Sequence, residues 1–297
     1  MPAPEPSHVV LDVQHAALNY GDLNDVKSGR APPGAVPGSD ASGTVARAAA
    51  NGAGPPAGTR VVALVPGAFA EHVVVDVDAL AEVPESVSLA EAATLPVAGL
   101  AALQALRAAG SLLGRRVLIT GASGGVGRFA VQLAARAGAH VIASVGSPAR
   151  GAGLAEVGAD QVVVGLDGIE GPLDVVLDNV GGPQLVGVWN LLSPGGNIQS
   201  IGWTSGEPAS FPPYSTIGQP RSLTSFLIDG SDVNSDLATL IGLVAAGDLT
   251  VEIGWQGSWE RVTEAAEALA GRRVTGKAVL DVATSPEAVT RGRGSAC

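Results

Sequence analysis

Between Thr120 and Gly127 the chain reads Thr-Gly-Ala-Ser-Gly-Gly-Val-Gly. Such a run of small residues lets backbone N–H groups come close to a phosphate. Gly124 and Gly127 allow close approach to a pyrophosphate and tight strand–helix packing, and a helix starting near Gly125 aims its open N–H groups and dipole at an anion. The flanks suit this reading: an apolar strand at Arg116–Thr120, helical spacing over Gly125–Ala137, and a second strand at His140–Val145. Ala122, Ser123, Gly124, Gly125, Val126 and Gly127 are therefore candidate cofactor-binding residues; a glycine-rich turn without a ligand is the plain alternative. The end of the second strand selects the dinucleotide. A carboxylate about 20 residues beyond the glycines would hold a ribose 2′-hydroxyl. The stretch Ser144-Val145-Gly146-Ser147-Pro148-Ala149-Arg150 contains none. Gly146, Ser147 and the forked donor of Arg150 suit a 2′-phosphate instead, which favours NADPH over NADH. For Arg150 taken alone, the plain alternative is an exposed helix residue.

The elements that must carry these residues fall into three textures. Residues 8–100 read as short β-type runs between Gly/Pro turns: Val9–Val13, Gly43–Ala46, Arg60–Leu64 and Ala70–Val75. From residue 101 strands and helices alternate. Strand candidates are Arg116–Thr120, His140–Val145, Gln161–Val164, Asp174–Asn179, Asn197–Gly202 and Ser222–Ile228, with helices at Gly125–Ala137 and Gln184–Leu192. That rhythm predicts a doubly wound parallel sheet. Two amphipathic helices, Leu237–Ala246 and Glu260–Ala270, and a strand at Lys277–Val282 follow, then a polar tail, Ser285–Cys297, expected to fray.

The 297 residues suffice for two domains, and 46% hydrophobic with 15% charged residues is a globular composition. A formal net charge of −11 argues against nucleic acid or an anionic membrane as partner. The single cysteine, Cys297, rules out a disulfide framework and fits a reducing cytoplasm. The start of the chain does not read as a secretory signal, and apolar runs such as Ile241–Ala246 are too short to span a membrane. A cytoplasmic protein is expected.

The chain resembles the zinc-free medium-chain dehydrogenases/reductases of the quinone oxidoreductase and enoyl reductase branch. The resemblance covers residues 9–283. Its motifs are Leu18-Asn19-Tyr20-Gly21-Asp22, Pro37-Gly38-Ser39-Asp40-Ala41-Ser42-Gly43, Ala92-Ala93-Thr94-Leu95-Pro96-Val97, the glycine turn, Asp178-Asn179-Val180-Gly181-Gly182, Pro194-Gly195-Gly196 and Gly276-Lys277-Ala278-Val279-Leu280. It implies a mixed α/β protein: a GroES-like β-rich catalytic domain over residues 1–100 and 235–297, trimmed at its N-terminus, and a Rossmann NADPH-binding domain over 101–234. It also implies a homodimer formed by pairing sixth strands.

In this resemblance Asn19 contacts the nicotinamide ribose or the substrate, while Asn179, Val180, Gly202, Trp203, Thr204, Phe226, Leu227 and Ile228 line the nicotinamide end. The implied reaction is hydride transfer from NADPH to an enone, enoyl thioester or quinone. Tyr20 is the candidate proton donor or enolate partner, with an aromatic packed under the cofactor as the alternative. Asp229 matches a second catalytic position, although an Asp at a strand end is also a common cap. Trp203 stands where enoyl reductases tend to carry Lys, which favours a free small molecule over a carrier-bound acyl chain. Ala101 and Gly165 replace a Thr and a Tyr common in relatives, which implies a looser cofactor site. Asn19 and Ser39-Asp40 stand where zinc relatives have Cys and His-Glu, and His8, His15, His72 and His140 lack partners at ligand spacing, so no metal is expected. A non-redox cyclase or isomerase and a non-catalytic NADPH-binding protein stay open as alternatives.

Overall fold

The structure, a computed structural model, describes residues 4–30 and 32–282; the expected tail Ser285–Cys297, with its cysteine, lies outside the described residues. The chain begins with β1 (His8–Leu18), α1 (Tyr20–Lys27), β2 (Asp40–Arg47), β3 (Arg60–Leu64), β4 (His72–Asp76), β5 (Leu80–Glu82) and α2 (Leu89–Ala92). It continues through α3 (Pro96–Ala108), β6 (Arg116–Thr120), α4 (Gly125–Arg136), β7 (His140–Val145), β8 (Gln161–Val164), β9 (Leu173–Asp178), α5 (Gly182–Leu191), β10 (Leu192–Ser200), β11 (Ser222–Ser225) and α6 (Val233–Ala245). The last elements are β12 (Ile253–Ser258), α7 (Val262–Ala270) and β13 (Lys277–Asp281).

Two compact units result. The first comprises Met1–Pro96, Ile253–Arg273 and Ala278–Cys297, and the second Val97–Glu252 with Val274–Lys277. The sequence reading divides the chain at 100/101 and 234/235. In the structure α6 instead packs within the second unit, where it buries Leu237, Leu240 and Ile241 and sets Asp236 against Arg107 and Gln104 of α3.

The first unit is a 7-stranded sheet in the order β12-β13-β1-β2-β3-β5, with β4 also on β1. The long strand β1 organises it. Val9, Leu11, Val13 and Ala16 bury into one core with Val45, Val61, Ala63, Val73 and Leu80, the alternation that a half-buried antiparallel sheet requires. Its pairing with β2 shifts register between Val10 and Leu11 and again between Val13 and His15.

The second unit is a 6-stranded sheet in the order β11-β10-β9-β6-β7-β8, and its pairings are parallel. Counted along this unit, that is the doubly wound order, with the switch point beside β6 where crossovers part to either side. Leu118, Ile142, Val176 and Ile198 pack with Leu185 and Val188 of α5 on one face.

The fold class matches the expectation, and the differences are local. Helix α1 buries none of its residues, so it has no apolar stripe for periodicity to detect. Helix α3 is apolar nearly all round and likewise shows none. Strand β12, Ile-Gly-Trp-Gln-Gly-Ser, is weakened by two glycines and is held by its neighbour β13. The sixth parallel strand ends at Ser225, not Ile228. Its neighbour β10 stops at Ser200, whose carbonyl accepts the Phe226 N–H at 3.1 Å, and beyond that point there is no strand to pair with.

Candidate active site

The candidate residues lie on both units. In the second unit, β6 ends at fully buried Thr120 and the chain turns through Gly121 (φ 61°) into α4, whose cap is Gly124. Gly127 has to be glycine. A Cβ there would fall on the Gly121 carbonyl oxygen and 2.6 Å from the Ala122 Cα, so only a bare backbone lets α4 start this close to β6. Ala122 is buried and donates its N–H to the Ser144 carbonyl of β7 at 3.0 Å. The first N–H groups of α4 have no acceptor within the helix. With Gly125, Val126 and Gly127 they form a backbone cradle that fits a dinucleotide pyrophosphate.

The carboxyl ends of three neighbouring strands are tied together beside this turn. Thr120 Oγ1 donates to Asp178 Oδ1 at 2.7 Å and accepts from the Asn179 N–H at 3.0 Å, while Asn179 Nδ2 donates to the Thr120 carbonyl at 2.9 Å. Asp178 also accepts from the Gly181 N–H at 2.9 Å and the Val180 N–H at 3.4 Å. Burial pushes its carboxyl above the ordinary range, against the pull of these hydrogen bonds. From the next strand end, Gly202 N–H donates to the Asp178 carbonyl at 3.1 Å, and Thr204 Oγ1 donates to the Asn179 carbonyl at 3.0 Å. Trp203 lies across Gly181, donates its indole N–H to the Glu207 carbonyl and stays 44% exposed. Asn179, Val180, Gly202, Trp203 and Thr204 thus come together at one end of the sheet. Past β11, Phe226 and Ile228 are half-buried and Leu227 is 87% exposed.

At the end of β7, Gly146 is exposed and Ser147 caps the short turn Pro148–Gly151, which contains Arg150. The Arg150 guanidinium turns back toward the glycines. Its Nε donates to Ser123 Oγ at 2.9 Å and its Nη2 to the Val274 carbonyl at 3.0 Å. Asp229 is placed as a cap: its Oδ1 accepts the Ser231 N–H at 2.9 Å, and this bond holds the exposed carboxyl below its ordinary range.

In the first unit Asn19 caps α1 and donates from Nδ2 to Oδ2 of fully buried Asp40 at 3.0 Å, while its own N–H donates to Asp22 at 2.8 Å. Tyr20, the first residue of α1, is 39% exposed. In the sequence Asp40 stands out as part of a motif and, with Ser39, at the place of the His-Glu of zinc relatives; its partnership with Asn19 follows from β1 and β2 running side by side.

Comparison with known proteins agrees with this architecture. Residues 155–280 match the family described as zinc-binding dehydrogenase, and residues 5–85 match the alcohol dehydrogenase GroES-like domain. Prostaglandin reductase-3 of Bos taurus is 31% identical over 258 residues, 77% of this chain and 68% of that protein. The highly reducing polyketide synthase apmlA of Arthrinium phaeospermum is 32% identical over 279 residues, which is 84% of this chain but only 11% of that much longer protein. The quinone oxidoreductase of Coxiella burnetii superposes with a TM-score of 0.81 at 28% identity, covering 95% of this chain and 93% of that one. This chain belongs to the medium-chain dehydrogenase/reductase family. Among the described residues no group of three or more His, Cys, Asp or Glu side chains could hold a metal ion, and Asn19 with Asp40 forms an amide–carboxylate pair. Among the described residues no helix is long and apolar enough to cross a membrane.

Proposed function

We propose that this chain is an NADPH-dependent reductase of an activated C=C bond in an enone, enoyl thioester or quinone, working without a metal. The observation that carries the reading is the β6–turn–α4 junction at the switch point, followed by a β7 end free of carboxylates. The cradle Ala122–Gly127 holds the pyrophosphate. Gly146 and Ser147 leave room for a 2′-phosphate that an Asp or Glu would repel, and Arg150 supplies positive potential beside them. Asn179, Val180, Gly202, Trp203 and Thr204, with Phe226, Leu227 and Ile228, face the nicotinamide. When bound, the reduced nicotinamide supplies a hydride.

The polar work falls to the first unit, which serves as the catalytic domain. Asp40 fixes the Asn19 amide, and the Tyr20 hydroxyl is the proton donor or the partner of the enolate oxygen. Asp229 caps a turn with its carboxyl, so the proton role rests on Tyr20. Strand β11 presents an open edge with Leu223 exposed, followed by exposed Leu227 just past its end, and a second copy of the chain pairs there to form a homodimer.

Stopped-flow NADPH oxidation against a panel of enones, quinones and enoyl thioesters tests the reading. Turnover with at least one acceptor is expected, and Tyr20→Phe should lower kcat by about 10²-fold or more if the hydroxyl transfers the proton. NADPH binding without oxidation by any acceptor would rule the reductase out.

A further inference from the structure

After α7 the chain comes back to the glycine turn before it enters β13. The returning segment, Val274–Lys277, counts with the second unit although the residues on either side of it count with the first. Its contacts fall on the turn itself. Gly276 N–H donates to the Ser123 carbonyl at 3.0 Å, and Gly276 makes a parallel bridge with Gly124. The Lys277 side chain is buried against the start of α4, so close that a Cβ on Gly125 would lie 2.7 Å from its Cδ. The segment is itself anchored. Lys277 N–H donates to the Glu252 carbonyl at 2.9 Å, and Gly276 (φ 69°) sits where a Cβ would be 2.7 Å from the Glu252 Cβ and still nearer its carbonyl oxygen.

Arg150 closes this arrangement with two prongs of one planar group, Nε on Ser123 Oγ and Nη2 on the Val274 carbonyl. A guanidinium fork committed in these two directions is oriented by the turn and the returning segment. We propose that Arg150 is a positioning residue: it pins Ser123 to the strap Val274–Lys277, so that the backbone N–H groups of the turn are already shaped for a pyrophosphate. Through the turn it supports NADPH and NADH alike, because both carry the same pyrophosphate, while its charge separately favours the 2′-phosphate of NADPH. This rests on the turn being the dinucleotide site.

The deciding variant is Arg150→Lys. Lysine keeps the positive charge, and with it the preference for a 2′-phosphate, but a single ammonium cannot bridge two acceptors in the plane of a guanidinium. Calorimetric titration of the full chain with NADPH and with NADH should show both affinities about tenfold weaker in Arg150→Lys, with their ratio as in the unsubstituted protein. Ser123→Ala, which leaves the guanidinium intact, should weaken both to a similar degree. The double variant should be little worse than either single one, since all three break the same link. The thermal midpoint should fall by only about 2–4 °C, as for one lost hydrogen bond in a chain of this size. Wild-type affinities in Arg150→Lys, loss of NADPH alone, or additive losses in the double variant would each overturn the proposal. If Arg150→Lys does not fold, Ser123→Ala decides: unchanged binding of both dinucleotides overturns the proposal, and equal loss supports it. Failure of the unsubstituted protein to bind either dinucleotide overturns the cofactor reading, and this proposal with it.

Discussion

At position 127 one methyl group is enough to force β6 and α4 apart, because it would meet the Gly121 carbonyl and the Ala122 Cα at once. Gly127→Ala should destabilise the protein by about 1–3 kcal/mol through overpacking and weaken NADPH binding, read by thermal unfolding with and without the cofactor. An unchanged midpoint would show that the turn relaxes more easily than this packing allows. Asp178 makes a pH-dependent prediction. Burial raises its pKa from the ordinary 3.8, so the carboxyl holds its proton more tightly in the folded protein than in the unfolded chain. Its contribution to stability is complete below 3.8 and is lost as pH rises through the folded value. Denaturant unfolding across pH should therefore show the wild-type advantage over Asp178→Asn shrinking as pH rises. Asp229 has the opposite sign. Its depressed pKa gives stability that is present above 3.8 and lost as pH falls through the folded value, and Asp229→Asn should remove that acid-side loss. The glycine turn was legible from sequence because its spacing is its mechanism. The Asn19–Asp40 pair and the two acceptors of Arg150 were not, because each joins residues that only the folded sheets bring together.

Elements were legible where they bury a continuous apolar run or one apolar face. The parallel strands β6, β7 and β9 and helix α4 could be read from apolar runs and 3.6-residue spacing, whereas α1, which buries nothing, and β12, with its two glycines, left no such trace. Of the strap Val274–Lys277 only Gly276-Lys277 was legible, as part of a motif; its grip on the turn was not, because the strap is too short to have a period and its role lies in what it touches. At this scale Gly276→Ala is the informative change, since the new Cβ would collide with Glu252 and lift the strap from the turn. Both dinucleotides should bind at least tenfold more weakly, while the far-ultraviolet circular dichroism stays that of the native sheet. The edge strand β11 gives another prediction. Its exposed Ser-Leu-Thr-Ser is paired on the β10 side, so Leu223→Lys should convert a homodimer to a monomer in light scattering coupled to gel filtration. A wild-type chain that is already monomeric would remove β11 from consideration as an interface.

For the molecule as a whole, a ligand that binds only the folded state adds about 2.7 kcal/mol at a hundredfold excess over its Kd. NADPH should therefore raise the unfolding midpoint, and NADH at the same concentration should raise it less. The way the chain is threaded has a further consequence, for biosynthesis. Residues up to Glu252 contain all the strands of the parallel sheet, but the Ser123–Gly276 contact that braces the phosphate turn spans most of the second half of the chain. During synthesis the sheet can form while the last stretch is still in the ribosome, and closing so long a loop comes late. Cofactor capture then reports that translation has reached β13. A nascent or proteolysed chain that stops after α7 would keep a folded parallel sheet and fail to grip the dinucleotide.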